Sequence, residues 1–242
     1  MKKTILFIFS VFLSGVVHAQ SAPVSPELSA VLPQTAPTAT GAEQHVSALN
    51  ASSLSDEARR ELIREAADKK EWTRAFELIL PLALKGDYQA QANLGILYAR
   101  GQGVPQDFEK AYWWFSEAAE KGSIKAINNL AVFYLQGHGV KQDIRHSITL
   151  FEKTANSGSL DAMLVLGQIY ENELNQMTQA FKWYKKAAEA GNHDAQFRLA
   201  VMYENGEGTK KNKKQAVYWY QKVSVQQNEL AALAQERLSR LQ

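Results

Sequence analysis

From Ala90 onward the apolar positions recur with a long period. Ala90, Ala126, Ala162 and Ala195 are spaced by 36, 36 and 33 residues. Each opens the same short pattern: Leu94, Gly95 and Tyr98; Leu130, Ala131 and Tyr134; Leu166, Gly167 and Tyr170; Leu199, Ala200 and Tyr203. Positions i, i+4, i+5 and i+8 share one face of a helix. The small residue at i+5 lets a neighbouring helix come close, where a larger side chain would overpack the contact. A second amphipathic stripe follows in each unit. It reads Ala111, Trp114, Phe115, Ala118, Ala119, then Ser147, Leu150, Phe151, Thr154, Ala155, then Ala180, Trp183, Tyr184, Ala187, Ala188, then Ala216, Trp219, Tyr220, Val223, Ser224. Trp113 lies off this stripe and is expected to be partly exposed. Gly122, Gly158 and Gly191 close the units, placed to take the left-handed conformation past a helix end. The pattern predicts a succession of helix pairs.

Between the two helices of a unit lies a Gly-x-Gly, as Gly101/Gly103, Gly137/Gly139 and Gly206/Gly208. A single glycine-rich loop ahead of a helix can cradle phosphate, but here it recurs three times, and no Gly-Lys dipeptide exists for a Walker loop. The glycines therefore read as helix stops. Asp107, Asp143 and Asn212 occupy one equivalent place, suited to capping the second helix. The third unit is three residues shorter between Tyr170 and Ala180 and lacks both loop glycines, which leaves its turn undefined. Upstream, Ala75, Leu78, Ile79, Leu82 and Ala83 repeat the second stripe, with Pro81 expected to kink that helix. A preceding helix over about 55–68 has Asp56 and Glu57 at its favourable end. Downstream, Leu230, Leu233, Ala234, Leu238 and Leu241 predict a terminal helix covering the last repeat.

The string LGILYARGQGVPQDFEKAYWWFSEAAEKG closely resembles a Sel1-like repeat, a relative of the tetratricopeptide repeat. The resemblance covers residues 54–242: a degenerate repeat at 54–86, repeats at 87–122, 123–158, 159–191 and 192–227, and a capping helix at 228–242. It implies an all-α fold, a right-handed α-α superhelix or solenoid of helix pairs. It also implies the adaptor role typical of such proteins, with a bacterial setting.

The beginning of the chain is different material. Lys2 and Lys3 precede an apolar run from Thr4 to Val17, and Val17-His18-Ala19 offers small residues around a cleavage point. This predicts a signal peptide at 1–19, too short to span a bilayer comfortably. Residues 20–53 hold four of the six prolines and no Lys or Arg, and read as a disordered linker rich in Pro, Ala, Ser and Thr. The sequon Asn50-Ala51-Ser52 within it is read as chance. Without Lys2 and Lys3 the 27 basic residues fall to 25, matching 25 acidic ones. A neutral mature chain argues against nucleic acid as partner. No further long apolar run exists, so no stable membrane insertion is expected after cleavage. With no cysteine, the exported fold rests on packing alone. The expected location is the periplasm, or alternatively secretion.

Catalytic patterns are absent. There is no Ser-x-x-Lys, Gly-x-Ser-x-Gly or HExxH. The alternative of a cell-envelope enzyme, hydrolase-like toward peptidoglycan or β-lactams, has no residues to point to. No catalytic, cofactor-binding or metal site is expected, and no cofactor. His45, His138, His146 and His193 read as solvated surface residues, and Lys210, Lys211, Lys213 and Lys214 as a solvated loop. What remains is the outer stripe of the first helices, which line the inner curve when helix pairs stack. It comprises Gln89, Asn93, Ile96 and Arg100; Lys125, Asn129, Val132 and Gln136; Asp161, Val165, Gln168 and Asn172; Asp194, Arg198, Val201 and Asn205. Its amides can hold the backbone of an extended peptide, and Ile96, Val132 and Val201 form an apolar seam for its side chains. The expected function is a non-catalytic scaffold binding a protein or peptide on this concave face.

Overall fold

The computed structural model describes residues 54–226 and 229–241, all helix and connecting loop. The expected signal peptide, the linker, the sequon and His45 lie outside the described residues. Eleven helices follow in order: α1 (Asp56–Asp68), α2 (Trp72–Leu84), α3 (Tyr88–Arg100), α4 (Phe108–Glu120), α5 (Ile124–Gln136), α6 (Ile144–Asn156), α7 (Leu160–Asn172), α8 (Met177–Glu189), α9 (His193–Asn205), α10 (Lys213–Ser224) and α11 (Glu229–Leu241). Two compact units divide within α6, between Ser147 and Ile148.

In the N-terminal unit each helix from α1 to α5 packs on the next. The caps are chemical. Ser55, Asp87 and Ser123 accept hydrogen bonds from the free N–H groups at the starts of α1, α3 and α5. Asp107 and Asp143 do the same for α4 and α6, as expected. Pro81 lies inside α2, and the helix continues through it to Leu84. The small i+5 residue is explained by its neighbour: a Cβ on Gly95 would sit 2.7 Å from the Phe115 ring. The loop glycines have two different tasks. Gly101 and Gly137 end α3 and α5 in the left-handed region. Gly103 lies on the start of the previous repeat's second helix, where a Cβ would come within 2.4 Å of the Trp72 carbonyl; Gly139 meets Phe108 in the same way at 2.3 Å. These glycines join one repeat to the next.

In the C-terminal unit α7 to α11 pack in sequence, with α11 also touching α9. Ser159, Asn192 and Asn212 cap α7, α9 and α10. Gly208 repeats the joining role against Met177. The shortened loop of the third repeat reaches the same end by another route. Asn175 takes φ +52°, and the Gln176 N–H donates to the Tyr170 carbonyl at 2.7 Å. The equivalent bonds elsewhere run from Asp107, Asp143 and Asn212 to Tyr98, Tyr134 and Tyr203. Ala234 of α11 is fully buried and Leu230, Leu238 and Leu241 pack against the same core. Leu233, expected on that face, is instead exposed, and Ala231 is buried.

One substitution is coupled along the chain. The large aromatic of the second helix is Phe115 and Phe151 in the first two repeats, and Tyr184 and Tyr220 in the last two. The Tyr184 hydroxyl donates to Glu171 at 2.7 Å, and that of Tyr220 to Glu204 at 2.6 Å. Where the aromatic is Phe, the position of the glutamate is taken by Ala99 and Leu135. A buried hydroxyl needs an acceptor, and the carboxylate occurs only where the hydroxyl does.

Candidate binding face

The outer stripe of the first helices is described unit by unit. In the N-terminal unit Gln89 is exposed, and Asn93, Arg100, Lys125 and Gln136 are half-buried. Ile96, Asn129 and Val132 are buried, at 4%, 1% and 2% exposure. The apolar seam is therefore closed here: two of its three side chains are part of the core. Asn129 is not a free amide either, because its Nδ2 donates to the Lys125 carbonyl of its own helix at 2.8 Å.

The Lys125 ammonium donates to Asn93 Oδ1 at 2.8 Å, linking α5 to α3. Burial, with the Arg100 charge in addition, lowers the Lys125 ammonium to about 8. Burial also lowers Arg100 from its ordinary value. Lys125 stands in the first turn of α5, where the helix macrodipole disfavours a cation. Among the described residues no carboxylate pairs with Lys125 or Arg100.

The C-terminal unit has the opposite character. Asp161, Asn172, Asp194 and Asn205 are exposed, Gln168, Arg198 and Val201 half-buried, and Val165 buried. Arg198 is already satisfied: its guanidinium binds the Glu171 carboxylate and lies 2.7 Å from Glu207 Oε2. Burial opposes the Arg198 charge, yet these two carboxylates outweigh it and raise its affinity for the proton. Although Asp161 is exposed as a residue, the protein around its carboxyl partly desolvates it and pushes it up, and the Asp194 charge adds to the shift. Position i of the stripe thus runs Gln89, Lys125, Asp161, Asp194.

Two histidines depart from the solvated reading. His138 stacks on the Phe108 ring with centroids 4.2 Å apart, and burial lowers its proton affinity. His146 packs edge-on to Tyr134 at 4.3 Å. Both fill space beside aromatic rings, while His193 is exposed. Trp113 is half-buried beside buried Trp114, as expected. Lys210, Lys211, Lys213 and Lys214 are exposed. Among the described residues no group of His, Asp or Glu is placed to hold a metal ion, and no helix is long and apolar enough to cross a membrane.

The Sel1 repeat family model matches residues 89–123, 124–159, 160–192 and 193–223. The chain belongs to the Sel1 repeat family. No curated protein sequence matches this Sel1 repeat protein. Among solved structures, it is similar to c5321, a protective antigen present in uropathogenic Escherichia coli strains that displays an SLR fold. The identity is 28% and the TM-score 0.68, over 77% of this chain and 41% of the antigen. The Sel1 repeat chain thus spans about two fifths of that antigen's length. A Sel1 repeat protein from Oxalobacter formigenes is 27% identical, with TM-score 0.65 over 74% of each chain. A sel1 repeat protein from Klebsiella pneumoniae shares the fold at 22% identity and TM-score 0.51, over 80% of this chain and 96% of that one. The all-α fold of consecutive helix pairs is that of the Sel1 repeat solenoid.

Proposed function

We propose that this Sel1 repeat protein is an exported, non-catalytic scaffold that captures an extended segment of a protein partner along its first helices. Sel1 repeat proteins are in general protein–protein interaction scaffolds, which supports the reading at the level of the family. The observation that carries it is a difference in how polar groups are used. Several buried polar groups of the second helices and loops are consumed internally, by caps, by Ser147 Oγ on the Ala131 carbonyl, and by Tyr184 on Glu171. On α3 and α5, Gln89, Asn93, Arg100 and Lys125 keep hydrogen-bonding capacity that nothing described consumes in full. Amides that both donate and accept suit a peptide backbone. Gln136 completes the candidate contacts of the N-terminal unit, and the C-terminal unit carries candidates of its own in Gln168, Asn172, Val201 and Asn205. The periplasm is the proposed site of action, with secretion the alternative.

The test is crosslinking capture from the native cell envelope with wild-type protein and with the pair Gln89→Ala plus Asn93→Ala. Asn129 is left intact because it is buried and its loss would disturb α5. A defined partner captured by the wild type and lost by the pair, at equal helicity, supports the reading. Equal capture by both moves the partner to another face.

A further inference from the structure

Arg100 and Lys125 are half-buried cations that meet no carboxylate among the described residues. Two other half-buried arginines do: Arg198 on Glu171 and Glu207, and Arg237 on Glu204. Lys125 has one neutral acceptor, Asn93 Oδ1, for its three donors, and a second cation beside it. Arg100 has five N–H donors and no carboxylate. An uncompensated, partly buried charge destabilises a fold, and placing it in the first turn of a helix adds to the cost. A protein retains such an arrangement where it serves a function.

We infer that Arg100 and Lys125, with the Asn93 amide that accepts from Lys125, form a receptor for the side-chain carboxylate of an aspartate or glutamate in an extended partner segment. The inference rests on the proposed peptide-binding role of the first helices and names the chemistry those helices select. Arg100 stands in the last turn of α3, two turns beyond Asn93 on the stripe that also carries buried Ile96. Lys125 reaches the same helix through Asn93, near enough to Arg100 for the two charges to repel. The guanidinium offers paired donors matching a carboxylate, the ammonium a point charge, and exposed Gln89 an amide for the adjoining peptide bond. Partial burial strengthens the attraction, since few water dipoles compete. A polyanion is the poorer fit: positions equivalent to Lys125 in the later repeats carry Asp161 and Asp194, the reverse of a phosphate-tracking row.

Fluorescence anisotropy with the mature protein tests this using short amide-capped peptides of neutral polar sequence, with either one central glutamate or one central glutamine. The glutamate peptide is expected to bind the wild type about tenfold tighter, a charge-assisted contact against a neutral one. In Lys125→Met and in Arg100→Met that preference falls to near unity, and in the wild type it weakens as salt rises. Helicity at 222 nm establishes that both variants are folded. Equal binding of the two peptides by the wild type overturns the carboxylate receptor while leaving peptide capture by the first helices standing. No binding of either peptide overturns both. A glutamine peptide with a free C-terminus, or an oligothymidylate, binding as tightly as the glutamate peptide and equally dependent on Lys125 also overturns it, by assigning the cations to a chain end or to phosphate.

Discussion

Lys125→Met is expected to make the protein more stable, although it removes a hydrogen bond. The side chain is half-buried, next to Arg100, and its ammonium is lowered from 10.5 to about 8. One unit of such a shift corresponds to about 1.4 kcal/mol, so the charged form costs the folded state up to about 3 kcal/mol near neutrality. Methionine keeps much of the apolar stem and carries no charge to desolvate. Asn93 Oδ1, only half-buried, recovers water. Allowing for that lost bond, a net gain of about 2 kcal/mol remains, or roughly 4–8 °C in melting midpoint for a domain of this size. The pH dependence identifies the cause. Below about 8 both folded and unfolded chains hold the proton, and the wild type bears the whole cost. Between about 8 and 10.5 the folded chain releases the proton while the unfolded chain keeps it, so wild-type stability rises with pH. The advantage of Lys125→Met therefore shrinks across that window. Paired thermal and urea unfolding followed by circular dichroism at neutral and alkaline pH measures it. A destabilised variant, or a gain that stays constant from pH 7 to about pH 10, refutes the reasoning.

Three further outcomes follow from the packing. Gly103→Ala should destabilise by about 3 kcal/mol or more, because the left-handed φ of +74° is joined by a 2.4 Å clash with the Trp72 backbone; Gly158→Ala, with φ +91° and open space around it, should cost about 1 kcal/mol, and equilibrium unfolding of both compares them. Tyr184→Phe should cost about 1–2 kcal/mol, and a double-mutant cycle with Glu171→Gln should show coupling, whereas additive effects would mean that the hydroxyl and carboxylate act independently. Asp194→Asn should lower the Asp161 carboxyl toward its ordinary value without restoring it fully, since burial is the larger cause; carboxyl-carbon NMR titration reads the shift.

The helix pairs were legible because their signal is repeated. Leu94, Leu130, Leu166 and Leu199 are all fully or nearly fully buried, so four copies of one pattern each testify to the same packing. Local chemistry was equally readable where a single backbone position demands it, as with Asp107, Asp143 and Asn212 at their caps. The caps of the first helices, Asp87, Ser123, Ser159 and Asn192, carry the same signal directly after each closing glycine. The second loop glycine reads locally as a helix stop, but its larger constraint is the clash with the preceding repeat's helix, a contact about 30 residues away that no local window contains.

The binding stripe was less legible, for a physical reason. Helical periodicity assigns a direction around one helix and does not say how closely the next first helix approaches. Ile96 and Val132 sit on the stripe facing away from the paired second helix, yet both are buried, as is Asn129. Periodicity also says nothing about which charges are already neutralised. Arg100 and Arg198 read alike as stripe cations, but Arg198 has Glu171 and Glu207, and Arg100 has neither. Glu171 accepts from the Tyr184 hydroxyl and also binds Arg198, so one carboxylate serves the core and the stripe together. In the first repeat Phe115 has no hydroxyl, the position equivalent to Glu171 is Ala99, and the position equivalent to Arg198 in the next repeat is Asn129, so no such ion pair forms there. Exchanging Phe for Tyr on a second helix thus goes with a carboxylate that also anchors an arginine of the next repeat, Arg198 on Glu171 and Arg237 on Glu204.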